Sequence, residues 1–311
     1  MTMDYQTTKM MQGLLRTKTL SVDEKRTMYQ QLQTAILQKK SMLQKKYANL
    51  PLAGYKTLEE YTNAMEEIFL DADEDGQLLS MMLDIQKSNQ ELFEHSVEVG
   101  YVSLFLIEQI DHIKDGTVNQ KKLYEKEIIA TGVAALLHDI GKYKNYITAE
   151  QAEQMNRAQQ ANYREHVIQG DVLLKGKNLD AVILQGVLQH HECYDGSGFP
   201  MGIKGGNLGT IAKVIRLADF YVHVMAHEIS DPFELVRILS QKESKFDLQY
   251  LQCLWTGMLV SYQEKEVRLS NGKVAILHGL NPKKPLQSSV VIDGQIVHLE
   301  NMDNLTIVSL A

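Results

Sequence analysis

The residues able to do chemistry are imidazoles and carboxylates, and they recur beside apolar runs. In chain order they are Glu91 with His95, the adjacent pair His138-Asp139, His166, the pair His190-His191, and Asp219. Five of the ten histidines fall in this series. A single His-Asp pair reads as a structural hydrogen bond or as chance, and a lone Glu/His pair four residues apart reads as a surface pair. The whole series is hard to explain as satisfied core histidines. A nitrogen- and oxygen-rich set of this size, with no thiolate, points to two or three divalent ions of the iron or manganese type. The chain has two cysteines, Cys193 and Cys253, far apart, which fits a reducing compartment and argues against both a disulfide framework and a thiolate zinc site. Cys193 lies close to His190-His191 but has nothing beside it that suggests a nucleophile, and it reads as a packed thiol.

The elements that must position these groups are helical. Ile128 to Leu137 is almost free of charge and runs into His138-Asp139-Ile140-Gly141-Lys142, with Gly141 as the helix stop. Asp139 therefore sits at the edge of a core, where it needs Lys142 or a bound cation to offset desolvation. Glu91 and His95 share a face if the helix from Gln77 continues through them. His166 opens an apolar helix through Val172, Leu173 and Leu174. His190-His191 closes another, before the Gly-rich turn Asp195-Gly196-Ser197-Gly198-Phe199-Pro200, where backbone can approach a ligand closely. The run Ile211 to Phe220 delivers Asp219. A second acidic cluster, Asp71-Ala72-Asp73-Glu74-Asp75-Gly76, imitates the start of a calcium loop but has Met82 where the bidentate acid belongs, and it reads as a solvated turn.

At 311 residues the chain has room for a large core and appendages. Lys and Arg number 32 against 39 Asp and Glu, a formal charge of −7, which argues against long nucleic acid or an anionic membrane as partner. No secretory leader or membrane-length apolar run is present, so a soluble cytoplasmic protein with no membrane insertion is expected. Ser21-Val22-Asp23-Glu24 and Thr57-Leu58-Glu59-Glu60 have capping-box form, the first opening an amphipathic run through Leu32, Ile36, Leu37 and Leu43. These N-terminal helices read as a regulatory or homodimerising module, with plain packing as the alternative. Asp231-Pro232 starts a later helix with Asp as cap. Glu266 to Ile276 and Val290 to Val297 are hairpin signals, and His278 and His298 there read as surface or packing residues.

This ordered set resembles the HD-GYP family, the metal-dependent branch of the HD superfamily that hydrolyses the bacterial second messenger cyclic di-GMP. The likeness is close over residues 78–225 and looser to the hairpin at 267–272. It implies a mainly α fold: an HD-type helical core over 78–260, with an N-terminal helical module over 1–77 and a small β subdomain over 261–311. It also implies that His95, His138, Asp139, His166, His190, His191 and Asp219 hold metal, that Glu91 serves a third ion, and that Lys142 approaches the substrate phosphate. With ligand chemistry added, Asp139 is the expected bridge; His138, Asp219 and His95 would complete one ion, and His166, His190 and His191 its neighbour. Asp195 would order the glycine turn or assist proton transfer. The expected reaction opens cyclic di-GMP to the linear dinucleotide and, with three metals, continues to GMP. The alternatives are a receptor that kept its metals and lost turnover, or a phosphodiesterase for another cyclic dinucleotide. Two departures motivate these. Phe199 replaces the Tyr of the Gly-Tyr-Pro triplet, and Phe220 to Glu228 lacks the arginines that members carry after the last Asp.

Overall fold

The computed structural model describes residues 20–50, 52, 57–72, 75–111, 118–143, 154–156, 159, 163–227, 229, 231–302 and 304–311. Helix α1 (Val22–Gln38) opens on the expected capping box: Ser21 Oγ accepts the Glu24 N–H, and the Glu24 carboxylate accepts the Ser21 N–H at 2.7 Å. The amphipathic run is two helices rather than one. It pauses at Lys39, where α2 (Lys40–Lys46) begins. Thr57 and Glu60 cap α3 (Leu58–Ala72) in the same reciprocal way.

Helix α4 (Gln77–Ser88) starts after Gly76, whose φ of +72° and contact with the Leu20 side chain leave no place for a Cβ. Of the acidic stretch before it, Asp73 and Glu74 lie outside the described residues. Asp75 is not simply solvated, because its carboxylate accepts from Lys177 Nζ at 2.6 Å.

Two long helices form the centre. α5 (Gln90–Asp111) and α6 (Val118–Leu137) pack side by side. On α6, Val133, Ala134 and Ala135 are fully buried. Around them stand α7 (His166–Leu174), α8 (Ala181–Gln189) and α9 (Thr210–Met225). Gly186 lets α8 come close to its neighbours, since a Cβ there would lie 2.6 Å from Ile211 and 3.1 Å from Ala134. The N-terminal helices are joined to the centre by polar contacts with α5 as well as by apolar packing. Lys39 Nζ reaches Glu94 at 2.5 Å, and Glu98 accepts from both Lys46 Nζ at 2.7 Å and the Tyr47 hydroxyl at 2.5 Å.

Asp231 caps α10 (Pro232–Ser240), accepting the Phe233 N–H at 2.8 Å, and Asp247 caps α11 (Leu248–Val260). The chain then forms β1 (Glu266–Leu269), β2 (Val274–Gly279), β3 (Ser289–Ile292), β4 (Gln295–His298) and β5 (Ile307–Leu310). All pairs are antiparallel, in the order β4-β3-β2-β1-β5, with Val267 opposite Ala275 and Val290 opposite Val297. The two hairpins match the sequence reading, and β5 is an addition to it. β1 and β2 alternate buried and exposed, as a sheet with one covered face must. The sheet is tied to α10 by the bond from Arg237 to the Val308 carbonyl and by Asp231 accepting the Leu310 N–H at 3.0 Å. Among the described residues no helix is long and apolar enough to cross a membrane.

Candidate metal centre

His138 and His190 each stand just past the end of an apolar helix, where the last-turn carbonyls lack helical partners. Each uses one of them. His138 Nδ1–H donates to the Ala135 carbonyl at 2.7 Å, and His190 Nδ1–H to the Val187 carbonyl at 2.7 Å. His166, at the start of α7, does the same to the Tyr163 carbonyl at 2.6 Å. A carbonyl can only accept, so Nδ1 carries the proton in all three rings and Nε2 is left as a lone pair. Backbone bonds of this kind set the tautomer and aim of histidines that ligate metal.

The lone pairs converge on Asp139. Its Oδ1 lies 3.3 Å from His166 Nε2 and 3.6 Å from His190 Nε2. Its Oδ2 lies 3.3 Å from His138 Nε2, 3.7 Å from His95 Nε2 and 2.6 Å from Lys142 Nζ. Two sets result, Asp139 with His166, His190 and His191, and Asp139 with His95 and His138; the potential ligand atoms of each lie within 4.8 Å of one another. Asp219 closes the far side, with Oδ1 3.1 Å from His95 Nε2 and Oδ2 4.0 Å from His191 Nδ1.

These residues fit divalent cations on their own geometry. His166 and His190 point two Nε2 lone pairs at each other across 3.3 Å. His138 Nε2, His191 Nε2 and Asp139 Oδ1 are buried without a hydrogen-bond partner. Buried acceptors facing acceptors are costly unless a cation lies among them.

Electrostatics divides the two sets. Burial pushes His166 down to about 3, and burial likewise pushes His190 down and His191 well down, so these three rings are neutral at physiological pH. For His138, burial is outweighed by Asp139 alongside it, and its pKa rises. For Asp139, burial is outweighed by Lys142 and His138, which hold the carboxyl well below the usual range. Asp219 is also held well below it, by His95 against the cost of burial. His166, His190 and His191 are therefore held in the neutral, ligating form, whereas at His138 a metal competes with the proton that the neighbouring Asp139 favours.

The remaining expected site residues are placed as follows. Lys142 is buried, with Nζ between Asp139 and the Tyr163 hydroxyl at 3.1 Å. Asp195 lies in the glycine turn, where Oδ1 accepts the Ser197 N–H at 2.9 Å and Oδ2 accepts from the Ser244 hydroxyl at 3.1 Å. Glu91 is on α5 one turn before His95, but it is exposed and belongs to neither ligand set. The Phe199 ring stacks on His191, with centroids 4.7 Å apart, and the Arg164 guanidinium lies over the Phe199 ring at 5.1 Å from its centre.

Three residues that the sequence reading did not single out contribute here. Tyr163 supplies both the carbonyl that orients His166 and the hydroxyl that meets Lys142. Glu192 is buried and accepts the N–H groups of Met201, Gly202 and Ile203 at 2.6, 3.1 and 3.0 Å, folding the glycine turn back over the histidines. Arg216 stands one turn before Asp219. Only Glu192 carried a signal, as an acid between two histidines and a glycine turn.

The HD domain family model matches residues 89–248, and the chain belongs to that family. Within it, the chain is related to HD-GYP cyclic di-GMP phosphodiesterases. It is 24% identical over 240 residues to a cyclic di-GMP phosphodiesterase of Pseudomonas aeruginosa, covering 71% of this chain and 55% of that protein. It is 27% identical over 160 residues to the cyclic di-GMP phosphodiesterase response regulator RpfG of Xanthomonas campestris, covering 46% and 40%. Among solved structures, an HDG"Y"P protein from Bdellovibrio bacteriovorus aligns with a TM-score of 0.47 at 20% identity, over 73% of this chain and 69% of that one. The chain thus spans about half the length of the curated relatives it matches.

Proposed function

We propose that this chain is a metal-dependent phosphodiesterase that hydrolyses cyclic di-GMP to the linear dinucleotide, and onward to GMP where a third ion is held. The observation that carries the reading is Asp139, which turns Oδ1 to His166 and His190 and Oδ2 to His138 and His95. A carboxylate shared in this way suits two ions spaced for phosphoester chemistry. His95, His138, Asp139 and Asp219 would hold one ion of the iron or manganese type, Asp139, His166, His190 and His191 the other, and Glu91 with His95 a third. When bound, such ions supply charge neutralisation at the phosphate and a water acidic enough to attack at neutral pH.

The rest of the work falls to the chain. The carbonyls of Ala135, Tyr163 and Val187 hold three rings with Nε2 facing inward. Lys142, kept charged by Asp139 and anchored by Tyr163, places a cation beside the phosphate. Asp195 has one oxygen occupied within the turn and the other by Ser244 of a distant segment, so its role is to order that loop and fasten it. Residues 1–77 act as a regulatory and dimerising module, supported by the grip of Lys39, Lys46 and Tyr47 on α5, the helix that carries His95.

Metal content of anaerobically purified protein, paired with a single-turnover assay on cyclic di-GMP with iron(II) or manganese(II), tests the reading. Product with two or three ions per chain supports it. Ions without product on cyclic di-GMP, but with product on another cyclic dinucleotide, would move the substrate; no product on any would make the chain a receptor.

A further inference from the structure

Arg216 is the charged group at the centre that the preceding account leaves without a task. It lies on α9 one turn before Asp219, with Nη1 3.9 Å from Asp219 Oδ2, beyond hydrogen-bond range. Its Nε is buried with no partner. The guanidinium carbon stands 5.8 Å from the Phe220 ring centre and 5.7 Å from that of Phe246, and these two rings are themselves in contact at 5.2 Å. The aromatic pair lies within cation–π range of the guanidinium but offers it no hydrogen-bond acceptor. A guanidinium carries five donors and is never neutral in a protein, so holding one in a partly buried position without a hydrogen-bonded acceptor is unfavourable.

The nearest acid does not resolve this. Asp219 Oδ1 is engaged by His95 at 3.1 Å, and any ion bound there takes more of its charge. The donor fork of Arg216 is therefore kept for an acceptor that arrives from outside. A planar fork matches two oxygens of a phosphate, and Arg216 stands next to the place where a phosphate would meet the ligand set.

We propose that Arg216 is a substrate-contacting residue whose guanidinium binds non-bridging oxygens of the phosphate presented to the metal centre. Lys142 approaches the same phosphate from the Asp139 side. The substrate class rests on the phosphodiesterase reading; the phosphate contact does not.

The test uses the full chain in excess manganese(II), as wild type, Arg216→Ala and Arg216→Lys. Inorganic phosphate is titrated by calorimetry, bound manganese is counted, and turnover of cyclic di-GMP is measured separately. The expected result is unchanged manganese, phosphate affinity weakened about 10- to 100-fold in Arg216→Ala and less in Arg216→Lys, and partial recovery of Arg216→Ala with added guanidinium ion. Equal phosphate affinity in all three proteins overturns the proposal, as does a wild type that binds no phosphate. Loss of manganese or of folding in both variants overturns it too, because Arg216 would then act through Asp219 or the core. Arg216-dependent phosphate binding without cyclic di-GMP turnover upholds the contact and defeats the nucleotide reading.

Discussion

Gly141 makes the packing of the centre testable by a single methyl group. A Cβ at this position would lie 1.9 Å from the His166 carbonyl oxygen, 2.8 Å from its carbonyl carbon and 2.7 Å from the Gly170 nitrogen. All three are backbone atoms of α7, so no side chain can swing away, and normal contact at about 3.5 Å requires the two segments to part by roughly 1.5 Å. That movement carries His166 away from Asp139, which now lies 3.3 Å from it. Metal sites tolerate errors of only about 0.2 Å in ligand position. Gly141→Ala should therefore lose the ion of the His166 set, retain the one at His95 and His138, and lose turnover by at least about 100-fold, the upper end for disturbing groups behind a ligand. Overpacking costs about 1–3 kcal/mol, which for a chain of this size lowers Tm by roughly 2–12 °C. Gly170→Ala is the control, because its Cβ would meet no backbone atom closer than 3.6 Å and the Val187 side chain at 3.2 Å, a contact relieved by a shift of about 0.3 Å. Elemental analysis after dialysis against buffered manganese, a thermal melt and a turnover assay decide the matter. A Gly141→Ala protein with full metal and full activity, or a Gly170→Ala protein damaged equally, would refute the argument.

Asp139→Ala should abolish turnover and reduce bound metal, since it removes an oxygen from each ligand set; unchanged activity would remove the bridge assignment. Phe199→Tyr restores a hydroxyl to a ring that stacks on His191, and should change the rate by less than about tenfold, so a gain of several orders of magnitude would contradict the view that the ring only lines the site. Glu192→Gln weakens a carboxylate that accepts three backbone N–H groups, and should cost about 1–3 kcal/mol of stability and lower turnover while metal content holds; a melt and a metal count check both. Glu94 is held below its ordinary range by the hydrogen bonds from Lys39 and Gln90. A depressed carboxyl contributes stability above its unfolded pKa and loses it as pH falls through the folded one. Lys39→Ala should therefore melt lower than wild type at neutral pH, with the difference closing in acid; a gap that persists at low pH would show the pair contributes by packing alone.

How much of this was legible in the sequence depends on whether a residue's task is set by its own chemistry or by its neighbours in space. The imidazoles and carboxylates that converge on Asp139, and the helices that carry them, could be read directly because they recur as a set beside apolar runs, and caps at Ser21, Thr57 and Asp231 mark helix starts locally. The pause at Lys39 could not, since nothing in Gln38-Lys39-Lys40 disfavours helix and Lys39 itself keeps right-handed helical backbone angles. β5 was hidden because Ile307 to Leu310 is too short to show a period, and its strand character comes from pairing with β1. Glu91 shows the limit of helical spacing: it shares α5 with His95, as expected, yet four residues fix a direction and not a depth, and it is exposed.

Arg216 shows the reverse. Three residues before Asp219 it reads as an ordinary ion pair, and only the fold brings Phe246 from beyond α10 to cover it and leaves its Nε unpartnered. The three histidine anchors follow one rule, a carbonyl three residues back, at Ala135, Tyr163 and Val187. That spacing is visible in any sequence and means nothing until the ring is known to stand at a helix boundary. There, one local geometry both satisfies an otherwise orphaned carbonyl and turns Nε2 inward. The centre is thus built from helix ends, which is why the sequence shows its imidazoles and carboxylates so clearly and its supporting groups so poorly.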